Sequence, residues 1–98
     1  MNRFEDIRRW AEDRNLINGS DPKSQFVKLA EEMGELANAI AKDKADEYFD
    51  AIGDMVVVLT IMAAQYAVPI EGCIEDAWNV IKDRKGRMVD GVFRKEGD

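Results

Sequence analysis

Four carboxylates fall into two closely spaced pairs, Glu32 with Glu35 and Asp50 with Asp54. On a helix each residue advances by about 100°, so the first pair lies about 60° apart and the second about 40° apart, each on one face. Like charges at these spacings repel, and two such pairs on neighbouring helices are costly unless something positive sits between them. Hard divalent cations select carboxylate oxygen, so Mg²⁺ or Mn²⁺ is the expected ligand of Glu32, Glu35, Asp50 and Asp54. Asp54 carries the strongest physical argument. It is the one charge in the apolar run from Ala51 to Ala64, where an unpartnered aspartate would be neutralised or would disrupt its surroundings. Two plainer readings stand beside the metal site: a buried, hydrogen-bonded carboxylate, and an ordinary solvated helix surface. Gly53, beside Asp54, fits close approach of either a ligand or another helix.

A second cluster has the opposite sign. Residues 82–95 hold Lys82, Arg84, Lys85, Arg87, Arg94 and Lys95 against Asp83 and Asp90, although the chain as a whole has a formal net charge of −6. Acidic and basic regions in one small chain suit an anionic ligand bridged to the acidic part by a cation. The plainer reading of the basic stretch is a helix C-terminus, where cations meet the helix dipole favourably. Overall acidity argues against stable nucleic-acid binding. With no histidine and the single Cys73, the usual catalytic triads, His-based proton shuttles, His/Cys zinc sites and internal disulfides are excluded. Any metal must be held by oxygen. Trp10 and Trp78 could stack on a nucleobase, though tryptophan at helical spacing more often belongs to a core. Gln25 offers an amide able to read a base edge.

Helices must position these groups. Phe4, Ile7, Trp10 and Ala11 mark a first helix over about Asn2 to Arg14, followed by a loop containing Asn18, Gly19 and Ser20. Asp21 and Pro22 supply an N-cap and a first-turn proline for a second helix ending near Ala41. Its core stripe is expected to be Leu29, Met33, Leu36 and Ile40. Glu32, Gln25 and Ala39 flank that stripe, and Glu31 points to solvent. A short polar connection at residues 43–46 makes the next helix, about Ala45 to Tyr66, an antiparallel neighbour. That third helix is apolar on nearly every face from Met55 onward, which calls for cover from another subunit. Val68 and Pro69 interrupt the pattern before a fourth helix, about Ile70 to Asp83, presenting Ile74, Ala77, Trp78 and Ile81. Gly86 marks a stop, and Met88 to Asp98 reads as an irregular or partly extended tail. The 98 residues form one domain of an all-α class. No apolar leader follows Met1, and the run from Ala51 to Ala64 is too short and too polar to span a bilayer, so a cytoplasmic location is expected.

Lys28 to Leu36 (KLAEEMGEL) followed by Asp50 to Leu59 (DAIGDMVVVL) resembles the MazG-like all-α nucleoside triphosphate pyrophosphohydrolases, whose signature is E-E-x-x-E, a spacer, then E-x-x-D. Arg9, Trp10 and Ala11 at the front, and Asn79, Lys82 and the stretch from Asp83 to Arg87 at the back, extend the likeness over nearly the whole chain, closest to the short phage and bacterial type. One departure stands out: the position three before Asp54, where the family has glutamate, is Ala51, and the nearest acid is Asp50. The resemblance implies a four-helix bundle completed as a homodimer or homotetramer, located in the host cytoplasm if phage-encoded. It also implies Mg²⁺-dependent hydrolysis between the α- and β-phosphates of a nucleoside triphosphate. By the same resemblance Glu32, Glu35 and Asp54 match metal ligands, Asp50 substitutes at shorter reach, and Glu31 orients a ligand or water. The glutamates help activate water, and Lys82 with Arg84 or Arg87 contacts phosphate. Asn79, one helical turn before Lys82, joins them; Gln25 and Trp10 are the base-side candidates. A nucleotide-binding regulatory module with little turnover and a structural dimerising bundle are the alternatives.

Overall fold

The computed structural model describes residues 2–97 as four helices and a hairpin: α1 (Arg3–Asp13), α2 (Pro22–Ala41), α3 (Ala45–Gln65), α4 (Ile70–Ile81), β1 (Gly86–Val89) and β2 (Val92–Lys95). Local chemistry accounts for the boundaries. Asn2 caps α1 by accepting the Glu5 N–H at 2.9 Å, and Asp21 caps α2 by accepting the Ser24 N–H at 2.8 Å, with Pro22 in the first turn. The bonds from Ser24 hold the Asp21 carboxyl below its usual range. The first three helices end alike, with Asn15, Asp43 and Ala67 at positive φ. In each, the following N–H reaches back to a helix carbonyl, Leu16 to Ala11, Lys44 to Ala39 and Val68 to Ala63, the Schellman pattern that stops a helix and reverses the chain.

The α2–α3 antiparallel pair forms the main body, with α1 and α4 both laid against α3. Arg8 clamps the start of α4 to α1 by donating from its two terminal nitrogens to Glu71 at 2.5 and 2.9 Å, with Asn2 adding a third bond at 3.3 Å. Between α3 and α4 the axis turns by 102°. No single helix among the described residues is long and apolar enough to cross a membrane. The stretch expected to be irregular or partly extended is instead largely the β1–β2 hairpin. Gly86 pairs with Lys95 and Val89 with Val92, and Asp90 and Gly91 both sit at positive φ, as a tight hairpin turn requires.

The buried apolar core is small: Ala11, Ala39, Ala51, Val58, Ile61 and Ile70. On α2 the buried line runs through Glu32 and Ala39, with Gln25, Leu29 and Leu36 half-buried. The expected core stripe is therefore split. Met33 and Ile40 belong to a second seam with Phe26, spaced by seven residues, and these are 53%, 61% and 58% exposed. Phe49, Ile52 and Leu59 lie uncovered along the far side of α3, and Ile74, Trp78 and Ile81 along α4. Added to Gly53, a Cβ would meet nothing within 4 Å, so no close approach within the chain explains that glycine. The accessible surface is 7448 Å², against about 5,700 Å² for a compact chain of this mass. The radius of gyration is 16.1 Å, where about 13 Å would be usual.

Candidate metal centre

Antiparallel pairing of α2 and α3 brings Glu32, Glu35 and Asp54 together, with one carboxylate oxygen from each within 4.8 Å of the others. Glu32 reaches this place because its position lies on the buried line of α2; Glu35, less than a turn onward, stays at the exposed margin. Asp54 enters from the face of α3 that also carries Val58 and Ile61. Glu32 is only 4% exposed. Its Oε1 lies 3.4 Å from Lys28 Nζ, while its Oε2 is buried without a hydrogen-bond partner. A buried carboxylate with an unpaired oxygen, gathered with two further acids, calls for a cation. Burial pushes the Asp54 carboxyl up, and the neighbouring charges of Asp50 and Glu32 raise it further, with Lys28 partly offsetting them. The hydrogen bond to Glu32 raises the Lys28 ammonium in turn.

This donor set fits Mg²⁺ or Mn²⁺: every ligand is a hard carboxylate oxygen, three converge, and one is orphaned. Asp50 stands outside the group of three. It lines a neighbouring cleft with Glu35, Asn38 and Glu47, close enough to act on Asp54 through its charge. Asp50, one turn before Asp54, is exposed and does not join the other oxygens. Two participants escaped the sequence reading. Lys28, four residues before Glu32, is a cation paired with it; Glu47, seven before Asp54, shares its helical face and lines the cleft beside Asp50. Both spacings were visible signals.

The other candidates are dispersed. Glu31 is exposed and pairs with Lys28 at 3.6 Å. The Gln25 side-chain nitrogen donates to Ser20 Oγ at 3.0 Å, bracing the loop before α2. Trp10 lines a groove between α1 and α3 together with Asp6, Ile7, Val57 and Asp54 itself, which places it beside the carboxylates. Asn79 and Lys82 lie at the far end of α4, with Arg84 and Arg87 beyond it. Asp54 is about 16 Å along α3 from its end, and Lys82 about 18 Å along α4 from its start. With the 102° turn between the axes, the two are on the order of 20 Å apart. Within one chain, then, Lys82 is held away from Asp54.

A family model for phosphoribosyl-ATP pyrophosphohydrolase matches residues 14–93, a span that includes the acidic cluster, α4 and most of the hairpin. An uncharacterised 18.2 kDa protein from the rep-hol intergenic region of Haemophilus phage HP1 is 52% identical over 62 residues. That alignment takes in 63% of this chain and 38% of the phage protein, so the chain spans well under half the length of this relative. No solved structure matches. On the extent of the family match and the four-helix architecture, the chain belongs to the phosphoribosyl-ATP pyrophosphohydrolase family, within the MazG-like all-α superfamily.

Proposed function

We propose that the protein is a divalent-metal-dependent pyrophosphohydrolase that cleaves a nucleoside triphosphate between its α- and β-phosphates, yielding the monophosphate and pyrophosphate. The observation that carries this reading is the convergence of Glu32, Glu35 and Asp54 with the Glu32 Oε2 atom buried and unpaired. When bound there, Mg²⁺ or Mn²⁺ would neutralise phosphate oxygens and make the phosphorus a better electrophile. Glu32, buried and fixed by Lys28, would be the rigid ligand, and Asp54 would close the site from α3. Glu35, at the exposed margin, would complete the oxygen donors, and it would accept a proton from the attacking water and pass it to solvent. Glu31 would orient that water, with Asp50 and Glu47 adding negative charge around a further ion or ordered waters. Lys82, Arg84, Arg87 and Asn79 would hold the phosphates, the arginines as forks and the lysine as a point charge.

The separation of about 20 Å between Lys82 and Asp54 makes a second copy of the chain the natural source of that cation. A homodimer or homotetramer is supported by the uncovered seams on α2, α3 and α4. The surface in excess of a compact chain is roughly 1,800 Å², and burying it on each partner would give an interface in the range of obligate dimers.

Incubation with NTPs, dNTPs and phosphoribosyl-ATP in the presence of Mg²⁺ tests the reading, with nucleoside monophosphate and pyrophosphate from the NTPs and dNTPs as the expected products. Orthophosphate with a diphosphate product would refute α–β cleavage. One observation favours a second reading, a nucleotide-binding module with little turnover: Asp50 stands outside the group of three. Tight Mg²⁺-dependent nucleotide binding without product would select it.

A further inference from the structure

The groove between α1 and α3 has a volume of about 430 Å³ and is lined by Asp6, Ile7 and Trp10 from α1 and by Asp54 and Val57 from α3. That volume lies within the range of small-molecule sites. One wall residue, Asp54, belongs to the acidic cluster, so whatever fills the groove abuts the place where phosphates would be held. Ile7, Val57 and the Trp10 indole give the groove an apolar and aromatic lining. The Arg14 guanidinium sits 4.5 Å from the Trp10 ring centroid and donates to the Trp10 carbonyl at 3.0 Å, which anchors the indole in place. A flat, apolar ligand covalently joined to phosphates matches this arrangement, and a nucleobase is such a ligand.

The groove's other polar wall is the Asp6 carboxylate, oriented by Arg3 at 2.8 Å. An ionised carboxylate only accepts hydrogen bonds. It matches the exocyclic amino groups of cytosine, adenine and guanine, whereas the carbonyl oxygens beside the N–H of uracil or thymine repel it. With Trp10 already the base-side residue of the proposed site, we propose that Asp6 makes this groove selective for bases bearing an exocyclic amine. The proposal rests on the reading of the acidic cluster as a phosphate–metal site, and it adds a specificity residue on a different helix.

Binding rather than turnover separates the two ideas. In a Trp78→Phe background, intrinsic fluorescence reports Trp10 alone. With Mg²⁺ present, CMP and AMP should quench it at concentrations at least fivefold lower than UMP, and Asp6→Asn should bring that ratio close to one while leaving quenching itself intact. Quenching that is equal for CMP and UMP, or a preference unchanged in Asp6→Asn, would overturn the role of Asp6. No quenching by any nucleotide would overturn the pocket. Amine-selective quenching in a protein that releases no pyrophosphate would sustain the pocket and reject the hydrolase reading instead.

Discussion

Asp54→Asn separates a site built for a cation from a carboxylate buried for structural reasons, because the two make opposite predictions for stability. The substitution keeps the side chain's shape and removes one of three charges whose oxygens lie within 4.8 Å of each other. At 4.8 Å two unit charges repel by about 0.9 kcal/mol in water and about 3.5 kcal/mol at an effective dielectric of about 20. The contact with buried Glu32 is nearer the second limit and that with exposed Glu35 nearer the first, while lost attraction to Lys28 works the other way. A net stabilisation of about 2 kcal/mol follows for the metal-free variant. For a domain of this size that raises Tm by roughly 10 °C. Thermal unfolding at neutral pH in EDTA should show the rise, and the same scan in Mg²⁺ should show the native protein gaining stability while the variant does not. Hydrolysis should be lost in the variant under both conditions. The sign agrees with the raised Asp54 carboxyl: the native state binds that proton more tightly than the unfolded chain, so the charged form penalises folding at neutral pH. If Asp54→Asn instead lowered Tm in EDTA, its charge would be satisfied inside the protein and the argument for a cation would fail.

Two further outcomes are expected. Met33→Glu places a charge in the middle of the exposed Phe26–Met33–Ile40 seam and should convert an oligomer to monomer in sedimentation velocity; a native protein already monomeric at micromolar concentration would show that the seam has no partner copy. The Arg8 guanidinium, by hydrogen bonding, holds the Glu71 carboxyl down at about 2, from an ordinary value of 4.5, so its contribution is complete above the ordinary value and is lost as pH falls through about 2. Urea unfolding between those limits should show a steeper loss for the native protein than for Glu71→Gln, and equal slopes would mean that the clamp adds nothing.

How much of this was legible in the sequence depends on whether the signal was local. Asp21 with Pro22 placed the start of α2 on the right residue, and the short polar connection correctly made α2 and α3 antiparallel, because caps and loop lengths act within a few residues. The hairpin had an equally local signal, Asp90-Gly91 between Met88-Val89 and Val92-Phe93, which reading residues 88–98 as a tail passed over. The half-buried position of Asp54 followed from its apolar neighbours, but which acids converge did not. Angles on each helix show that Glu32 and Glu35 share a face and that Asp50 and Asp54 do, yet the register between α2 and α3 decides which oxygens meet, and it left Asp50 one turn away.

The split of the α2 stripe has the same origin and a larger consequence. Leu29, Met33, Leu36 and Ile40 form one continuous apolar band on a helical projection, too broad for a single neighbour to cover. Pairing with α3 takes Leu29 and Leu36 together with Glu32, and leaves Met33 and Ile40 to join Phe26 on a second seam about 100° round the helix. Glu35 and the uncovered seam therefore flank the α2–α3 contact on opposite sides, with Glu32 inside it. A second copy seated on the Phe26–Met33–Ile40 seam would stiffen α2 from behind while leaving the edge that carries Glu32 and Glu35 open to a nucleotide. Burying Glu32 with an unpaired oxygen is tolerable on a helix held from both sides, and would be poorly supported on one held from a single side. Assembly and metal binding are on this argument coupled: Met33→Glu should weaken Mg²⁺ affinity although Met33 lies about 100° round the helix from Glu32 and about 160° from Glu35. Isothermal titration with Mg²⁺ would detect the loss, and an affinity unchanged in the monomeric variant would show that α2 is rigid enough on its own.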